Sequence, residues 1–133
     1  MDLLRRMFDT HPNPASNAGE QALECVTAAA ECSLVCTSCA DACLSEDADM
    51  AECIRLNLDC AGATAAIAHM LARPGHQDRE TLERMLEACA RSCRACAEEC
   101  ERHADEMDHC GICAESCHRC EEACEQMTGV LVA

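Results

Sequence analysis

The chain has 133 residues, which fits a single domain with one modest core, and its formal net charge of −15 argues against nucleic acid or an anionic membrane as a partner. Helix-favouring residues dominate, whereas aromatic residues are almost absent, with one Phe and neither Trp nor Tyr, so we expect an all-α fold. Half of the residues are hydrophobic, but 16 of these are cysteines, and bulky side chains alone cannot fill the core.

Residues 1–15 are predicted to form a short N-terminal helix and a turn. Apolar residues recur there at helical spacing: Leu3, Leu4, Met7 and Phe8. Pro12 and Pro14 then mark the turn. The Arg5-Arg6 pair is not followed by the apolar run of an export signal, and we expect no membrane-spanning stretch. The protein is therefore expected to be cytoplasmic, where thiols stay reduced and dense cysteines bind metal more often than they form disulfides.

Residues 16–133 are predicted to form an antiparallel up-down four-helix bundle. The expected helices cover about 18–44, 49–72, 79–103 and 108–128. Asn17 with Glu20 resembles a capping box at the start of the first, and Asp78 is the expected N-cap of the third. Polar segments and the Pro74-Gly75 pair separate the helices. Short loops between long helices make sequence neighbours antiparallel.

The cysteines recur along all four predicted helices, almost always at steps of three, four or seven residues. They are Cys25, Cys32, Cys36, Cys39 and Cys43; Cys53 and Cys60; Cys89, Cys93, Cys96 and Cys100; and Cys110, Cys113, Cys117, Cys120 and Cys124. At about 100° per residue, these steps return each thiol to one stripe of its helix. The spacing therefore predicts a bundle with a cysteine-lined core.

Several chemistries use such thiols. A free cysteine is a small buried hydrophobe, but Ala, Val or Leu would fill the same space without the hazard of oxidation. Zinc sites use C-x-x-C pairs on tight turns rather than within long helices, and each tetrathiolate zinc site carries two negative charges. Iron–sulfur clusters are generally bound by cysteines on loops. A zinc or general thiol-rich metal buffer and an iron–sulfur or thiol redox protein remain the alternatives to copper.

Monovalent copper fits the pattern best. Cu(I) is soft, prefers thiolate ligands and is satisfied by two nearly linear sulfurs, which a cysteine pair at i and i+4 can supply. If thiolates bridge neighbouring ions, the capacity is about one Cu(I) per cysteine, on the order of 16 per chain. Each Cu(I) replaces one thiol proton, so a filled core is as neutral as an empty one.

The repeated C-x-x-x-C and C-x-x-C spacing over residues 18–128, without an export signal, resembles the cytosolic branch of the cysteine-rich four-helix-bundle copper storage proteins. The resemblance implies a bundle that fills its core with Cu(I) through thiolates, and a homotetramer of such bundles. We expect a store or buffer that is not an enzyme, with a copper chaperone or acceptor as a possible partner.

In an up-down bundle the two ends differ. One end collects apolar residues that form a plug: Cys25, Ile67, Leu71, Leu82, Met85, Leu86, Cys124 and Met127. The other end is the expected mouth, with copper-binding side chains: Cys43, Met50, Cys53, Cys100, His103, His109 and Cys110.

Three side chains other than cysteine are candidate ligands at or near the mouth: Asn57, His103 and His109. The alternative for the two histidines is a water-exposed position at a helix end. Met50 and Met107 lie where they would meet incoming copper, although methionines near a bundle end are commonly packing residues. Gly62 and Gly111 are expected to permit close contact between helices.

Overall fold

The computed structural model describes residues 1–12, 19–73 and 77–132, and these ranges contain five helices and no strand. The helices are α1 (Asp2–Asp9), α2 (Gly19–Cys43), α3 (Ala51–Leu71), α4 (Arg79–Glu101) and α5 (Asp108–Val132). The predicted all-α class, with a short N-terminal helix before four long ones, is confirmed.

Local signals explain several helix ends. The Asp78 carboxylate accepts hydrogen bonds from the Thr81 backbone N–H at 3.0 Å and from its hydroxyl at 2.8 Å, so the predicted N-cap of α4 is confirmed. Two other expected signals, Asn17 and Pro74-Gly75, lie outside the described residues.

Two helix ends differ from the predicted bounds. α4 ends at Glu101 rather than near residue 103, because the chain turns there and the backbone N–H groups bond three residues back, as from His103 to the Cys100 carbonyl at 3.0 Å. α5 continues to Val132, past the predicted end at 128, and Leu131 packs partly buried against the core. Helix α5 therefore includes Gly129, which lies beyond the predicted end.

The four long helices form a square bundle. α2 packs mainly against α3 and α5, and α4 packs mainly against the same two helices, so α2 and α4 are diagonal partners. Cross-helix thiol contacts fix the antiparallel order, because Cys25 near the start of α2 lies 3.9 Å from Cys124 near the end of α5. At the opposite end, Cys53 of α3 lies 3.7 Å from Cys100 of α4.

The core consists mainly of cysteine and alanine side chains, with a few bulky residues. All sixteen cysteines are free thiols and at most 2% exposed, as the periodicity predicts. At the plug end, Ile67 and Leu86 are completely buried, and Leu71, Leu82 and Met127 are nearly so. The thiols therefore occupy the positions that Leu and Ile occupy in an ordinary bundle.

One helix in the described part of the chain, α2, is long and apolar enough to match a membrane span by length and composition. This differs from the expectation of no such stretch, because Cys and Ala count as apolar. However, 50% of that segment is buried inside the bundle, which is typical of a core helix.

The N-terminal helix α1 attaches to the bundle through one side. Phe8 is buried and Leu4 partly buried, whereas Leu3 and Met7 are exposed. An ion pair from Arg5 to Glu20 of α2, at 2.9 Å, ties α1 to the bundle.

Gly62 and Gly111 have different surroundings in the structure. A Cβ atom added at Gly62 would meet no atom within 4 Å, so the expectation that it permits close contact between helices of this chain is wrong. At Gly111 the added atom would lie 3.7 Å from the Ala104 Cβ, an ordinary contact. Gly62 faces open space in the isolated chain.

Candidate metal centre

The middle of the bundle holds a compact set of four sulfurs from three helices. Cys32 and Cys36 come from α2, Cys60 from α3 and Cys117 from α5, and their sulfurs lie within 4.8 Å of one another. The Cys36 and Cys117 sulfurs are 3.6 Å apart, Cys32 and Cys36 are 3.8 Å apart, and Cys60 lies 4.0 Å from both Cys32 and Cys117. We call these residues the central set.

Other thiol sets overlap with the central set and continue it in both directions. Cys36 and Cys117 also belong to a group with Cys96 and Cys113, and Cys113 in turn groups with Cys39 and Cys100. Toward the plug, Cys32 groups with Cys93 and Cys120. Because the groups share members, the sulfurs form one connected network rather than separate sites.

The mouth contains four further clustered thiols, which we call the mouth set. They are Cys39, Cys43, Cys53 and Cys110, and their sulfurs also lie within 4.8 Å of one another. Cys39 links this set to Cys100 and Cys113 deeper in the bundle. The mouth is therefore continuous with the network below it.

His109 lies against the mouth set. Its ring Nδ1 is 3.4 Å from the Cys39 sulfur and 3.6 Å from the Cys110 sulfur, while its Nε2 is 2.8 Å from the Glu46 carboxylate. The structure thus brings His109 to the thiols, as the sequence predicts. Sequence reasoning missed Glu46; its one signal is its place three residues after Cys43, the last thiol of α2.

His103 has different surroundings. Its Nε2 lies 2.9 Å from the carboxylate of Glu99, which also pairs with Arg102 at 2.7 Å. Among the described residues, no hydrogen bond joins the His103 ring to a thiol. The earlier end of α4 explains this difference, since His103 lies in the turn beyond the helix instead of on its inward stripe.

Asn57 is completely buried inside the thiol network. Its Oδ1 accepts from the Cys96 thiol at 3.0 Å and from the Cys113 thiol at 3.2 Å, and its Nδ2 lies 3.7 Å from the Cys53 sulfur. The side chain therefore sits one helical turn inward from the mouth thiol Cys53. A buried amide needs hydrogen-bond partners, and here thiols supply them.

The side chains of Met50 and Met107 pack against the core at the mouth end of the bundle. Met50 is buried in the core at the mouth end, and Met107 is partly buried against it. Both side chains therefore serve as packing residues at this end of the bundle.

A protein-family model described as copper storage protein matches residues 18–129 of the sequence. The chain belongs to the copper storage protein family. The match covers α2, α3, α4, most of α5 and all sixteen cysteines, so the predicted family resemblance is confirmed. No curated protein matches the chain.

Solved structures similar to this copper storage family member come from Streptomyces lividans. The copper storage protein Ccsp loaded with 10 copper equivalents is 39% identical, with a TM-score of 0.90, over 95% of this chain and 98% of that one. A cytosolic copper storage protein with five coppers is 42% identical, with a TM-score of 0.81, over 84% and 94%. A Ccsp variant with one histidine replaced by alanine is 41% identical, with a TM-score of 0.82, over 88% and 98%.

Protonation of the thiols in this copper storage fold follows from burial and from shared hydrogen bonds. Burial raises the pKa of Cys43 to about 11 and also raises the pKa of Cys53 and Cys110. In the central set, hydrogen bonding with Cys113 raises the pKa of Cys117, whereas hydrogen bonding from Cys117 lowers the pKa of Cys32. The mouth thiols thus keep their protons at neutral pH in the metal-free protein.

Alkaline pH is expected to destabilise the metal-free protein. The Cys43 thiol ionises near pH 9.0 when the chain is unfolded but near 11 when it is folded, so its contribution to stability is complete below pH 9 and is lost as the pH rises through 11. A pKa difference of one unit between the folded and unfolded states corresponds to about 1.4 kcal/mol. Because solvent screening at the bundle end reduces this value, we expect the free energy of unfolding to fall by about 1–2 kcal/mol.

Anaerobic urea unfolding of the reduced apo protein between pH 8 and 11 measures this loss. The Cys43→Ala variant is the control and should show a smaller decline in the free energy of unfolding over the same range. An unfolding free energy that stays constant or rises with pH would contradict the assignment.

Proposed function

We propose that this protein stores Cu(I) in the cytosol by binding many ions through its buried cysteines. The observation that carries the proposal is the set of sixteen buried free thiols, most of which form overlapping groups that run from the mouth toward the plug. The similarity to a cytosolic copper storage protein that is loaded with copper supports both the ion and the compartment.

Overlap of the thiol sets favours Cu(I) over zinc. Cys36 and Cys117 each belong to two groups, which suits thiolates that bridge two Cu(I) ions. A tetrahedral zinc ion held by four thiolates of its own would leave two negative charges on every site, in a protein that already carries −15. Each Cu(I) instead replaces one proton, so the core stays neutral as it fills.

We assign all sixteen cysteines as Cu(I) ligands. His109 is a further ligand at the mouth, because its Nδ1 already lies beside two thiols. Asn57 offers a carbonyl oxygen to an ion held by Cys96 and Cys113. His103, whose Nε2 lies against the Glu99 carboxylate, is a further candidate ligand for an outermost ion.

The same arrangement supports storage rather than catalysis. The thiols are buried and contact one another instead of lining a substrate cleft. Copper would be exchanged at the mouth with a chaperone or another acceptor. Residues 1–15 serve as an appendage to the storage bundle of residues 16–133, since α1 contributes only Phe8 as a buried side chain.

An anaerobic titration of the reduced protein with Cu(I) in the presence of a competing chelator, followed by metal analysis, tests this function. We expect saturation at on the order of 16 ions per chain. Saturation at four or fewer would overturn storage. A parallel titration with Zn²⁺ should saturate at a much lower number, and equal capacity for Zn²⁺ would favour a general metal buffer.

We also propose that four bundles associate as a homotetramer. In support, no charged residue occurs between Cys60 and Ala68 on α3, although part of this segment faces outward. Leu58 on α3 is 54% exposed and Leu34 on α2 is 73% exposed. An exposed glycine in mid-helix costs about 1 kcal/mol relative to alanine, and close approach of a second chain at Gly62 would offset this.

Replacing Gly62 by Glu is expected to convert the tetramer into smaller species. The open space around Gly62 in one chain accepts the new side chain, but a packed interface would not accept its charge. Light scattering after size-exclusion chromatography measures the mass, and Gly62→Ala is the control that should remain tetrameric. Equal masses for wild type and Gly62→Glu would place the interface elsewhere.

A further inference from the structure

Glu46 joins the α2–α3 loop to the start of α5. Its Oε2 lies 2.8 Å from the His109 Nε2, and both side chains are partly buried, with 31% and 27% of each exposed. The opposite ring nitrogen of His109 faces the Cys39 and Cys110 sulfurs at 3.4 and 3.6 Å. One imidazole therefore bridges a carboxylate and two thiols.

These partners determine where a neutral His109 ring carries its proton. An ionised carboxylate only accepts hydrogen bonds, so the nitrogen that faces Glu46 must be the donor. The proton then lies on Nε2, and Nδ1 presents its lone pair to the thiols. The reverse tautomer would set the Nε2 lone pair against the carboxylate oxygens and leave a proton where a metal has to bind.

We propose that Glu46 is a positioning residue for copper uptake: its carboxylate holds the His109 ring with Nδ1 unprotonated and directed at the mouth thiols Cys39 and Cys110. This inference rests on the proposed storage function. Carboxylates commonly orient a histidine ligand from its far nitrogen in this way, and their loss costs about 10–100-fold in metal affinity or activity.

The arrangement at His103 shows why His109 is the relevant ring. Glu99 contacts the His103 Nε2 at 2.9 Å in the same manner, but it also pairs with Arg102. No hydrogen bond among the described residues links that ring to a thiol. In the described part of the chain, the Glu46–His109 pair is the one hydrogen-bonded link between a carboxylate and the mouth set.

The first test reads the tautomer of His109 in the reduced apo protein by long-range ¹H–¹⁵N correlation spectroscopy. We expect wild type to carry the proton on Nε2 and Glu46→Ala to shift His109 toward the other tautomer. Glu46→Gln should restore the wild-type tautomer, because its amide oxygen still accepts from Nε2–H. Asp47→Ala, which removes one exposed charge from the same loop, is the matched control.

The second test measures the rate of Cu(I) transfer from its bicinchoninate complex to each variant. Glu46→Ala should be slower by about 10-fold, while Glu46→Gln and Asp47→Ala stay within about threefold of wild type. In a His109→Ala background, Glu46→Ala should have no further effect. Circular dichroism verifies that each variant remains helical.

Two results would overturn the inference. If Glu46→Ala keeps the wild-type tautomer and rate, Glu46 does not position the ring. If Glu46→Gln is as slow as Glu46→Ala, attraction of the cation by the charge explains the effect instead. Failure of wild type to load more than four Cu(I) would overturn the storage function itself, and the tautomer of the apo protein would still decide the role of Glu46.

Discussion

Replacing the mouth set, Cys39, Cys43, Cys53 and Cys110, by alanine is expected to slow Cu(I) uptake by more than about tenfold while lowering the capacity by only about four ions. These thiols lie together at the end of the bundle where the Glu46–His109 pair is found. An arriving ion would meet them first and then pass to Cys100 and Cys113 through Cys39. Loss of the mouth set removes the first thiolates that can take copper from its carrier.

The matched control replaces the central set, Cys32, Cys36, Cys60 and Cys117, by alanine. It removes the same number of buried thiols and should lower the capacity by about the same four ions, but the initial rate of uptake should remain near that of wild type. Stopped-flow transfer from a coloured Cu(I)–chelator complex gives both values. Equal initial rates in the two variants would show that copper does not enter through the mouth set.

Replacing Leu86 by alanine is expected to destabilise the apo protein by about 2–5 kcal/mol and to lower its Tm by about 10 °C. Leu86 is completely buried at the plug end, where it belongs to the few bulky residues of a core otherwise made of sulfur and alanine. The copper capacity should not change, because the plug supplies no proposed ligand at this position. Thermal unfolding under anaerobic conditions measures the effect.

Leu44→Ala is the control for this prediction, since Leu44 is 71% exposed and its truncation should change stability by less than about 0.5 kcal/mol. Loading with Cu(I) should raise the Tm of every variant, because the clustered thiols of the folded bundle bind the ions more tightly than the unfolded chain does. An unfolding free energy of Leu86→Ala equal to that of Leu44→Ala would show that the plug does not stabilise the fold.

Periodicity made much of this structure predictable. Residues separated by three, four or seven positions lie on the same face of a straight helix. The burial of thiols such as Cys36 and Cys117 can therefore be predicted without knowledge of the loops. The up-down order of the helices predicted which residues meet at each end of the bundle, and therefore where the mouth and the plug lie. The end of α5 was less predictable, because packing of Leu131 against the core carries the helix past Gly129.

The candidate ligands other than cysteine show the limit of this reasoning. His103 and His109 look equivalent in the sequence, each near the mouth and each close to a cysteine. In the structure, the turn after Glu101 brings His103 to Glu99, while the start of α5 brings His109 to Cys39. A difference of a few residues in where α4 ends decides which imidazole contacts thiols.

Residue type and spacing within one helix are enough to predict the helical class, the inward thiol stripe and the preference for a soft monovalent metal. Three features required the folded chain: which thiols share a set, the place of Asn57 among Cys53, Cys96 and Cys113, and the contact of Glu46 with His109 across 63 positions of sequence. These contacts join side chains from different helices and loops, and their distances depend on helix register and loop path, which no periodic pattern encodes.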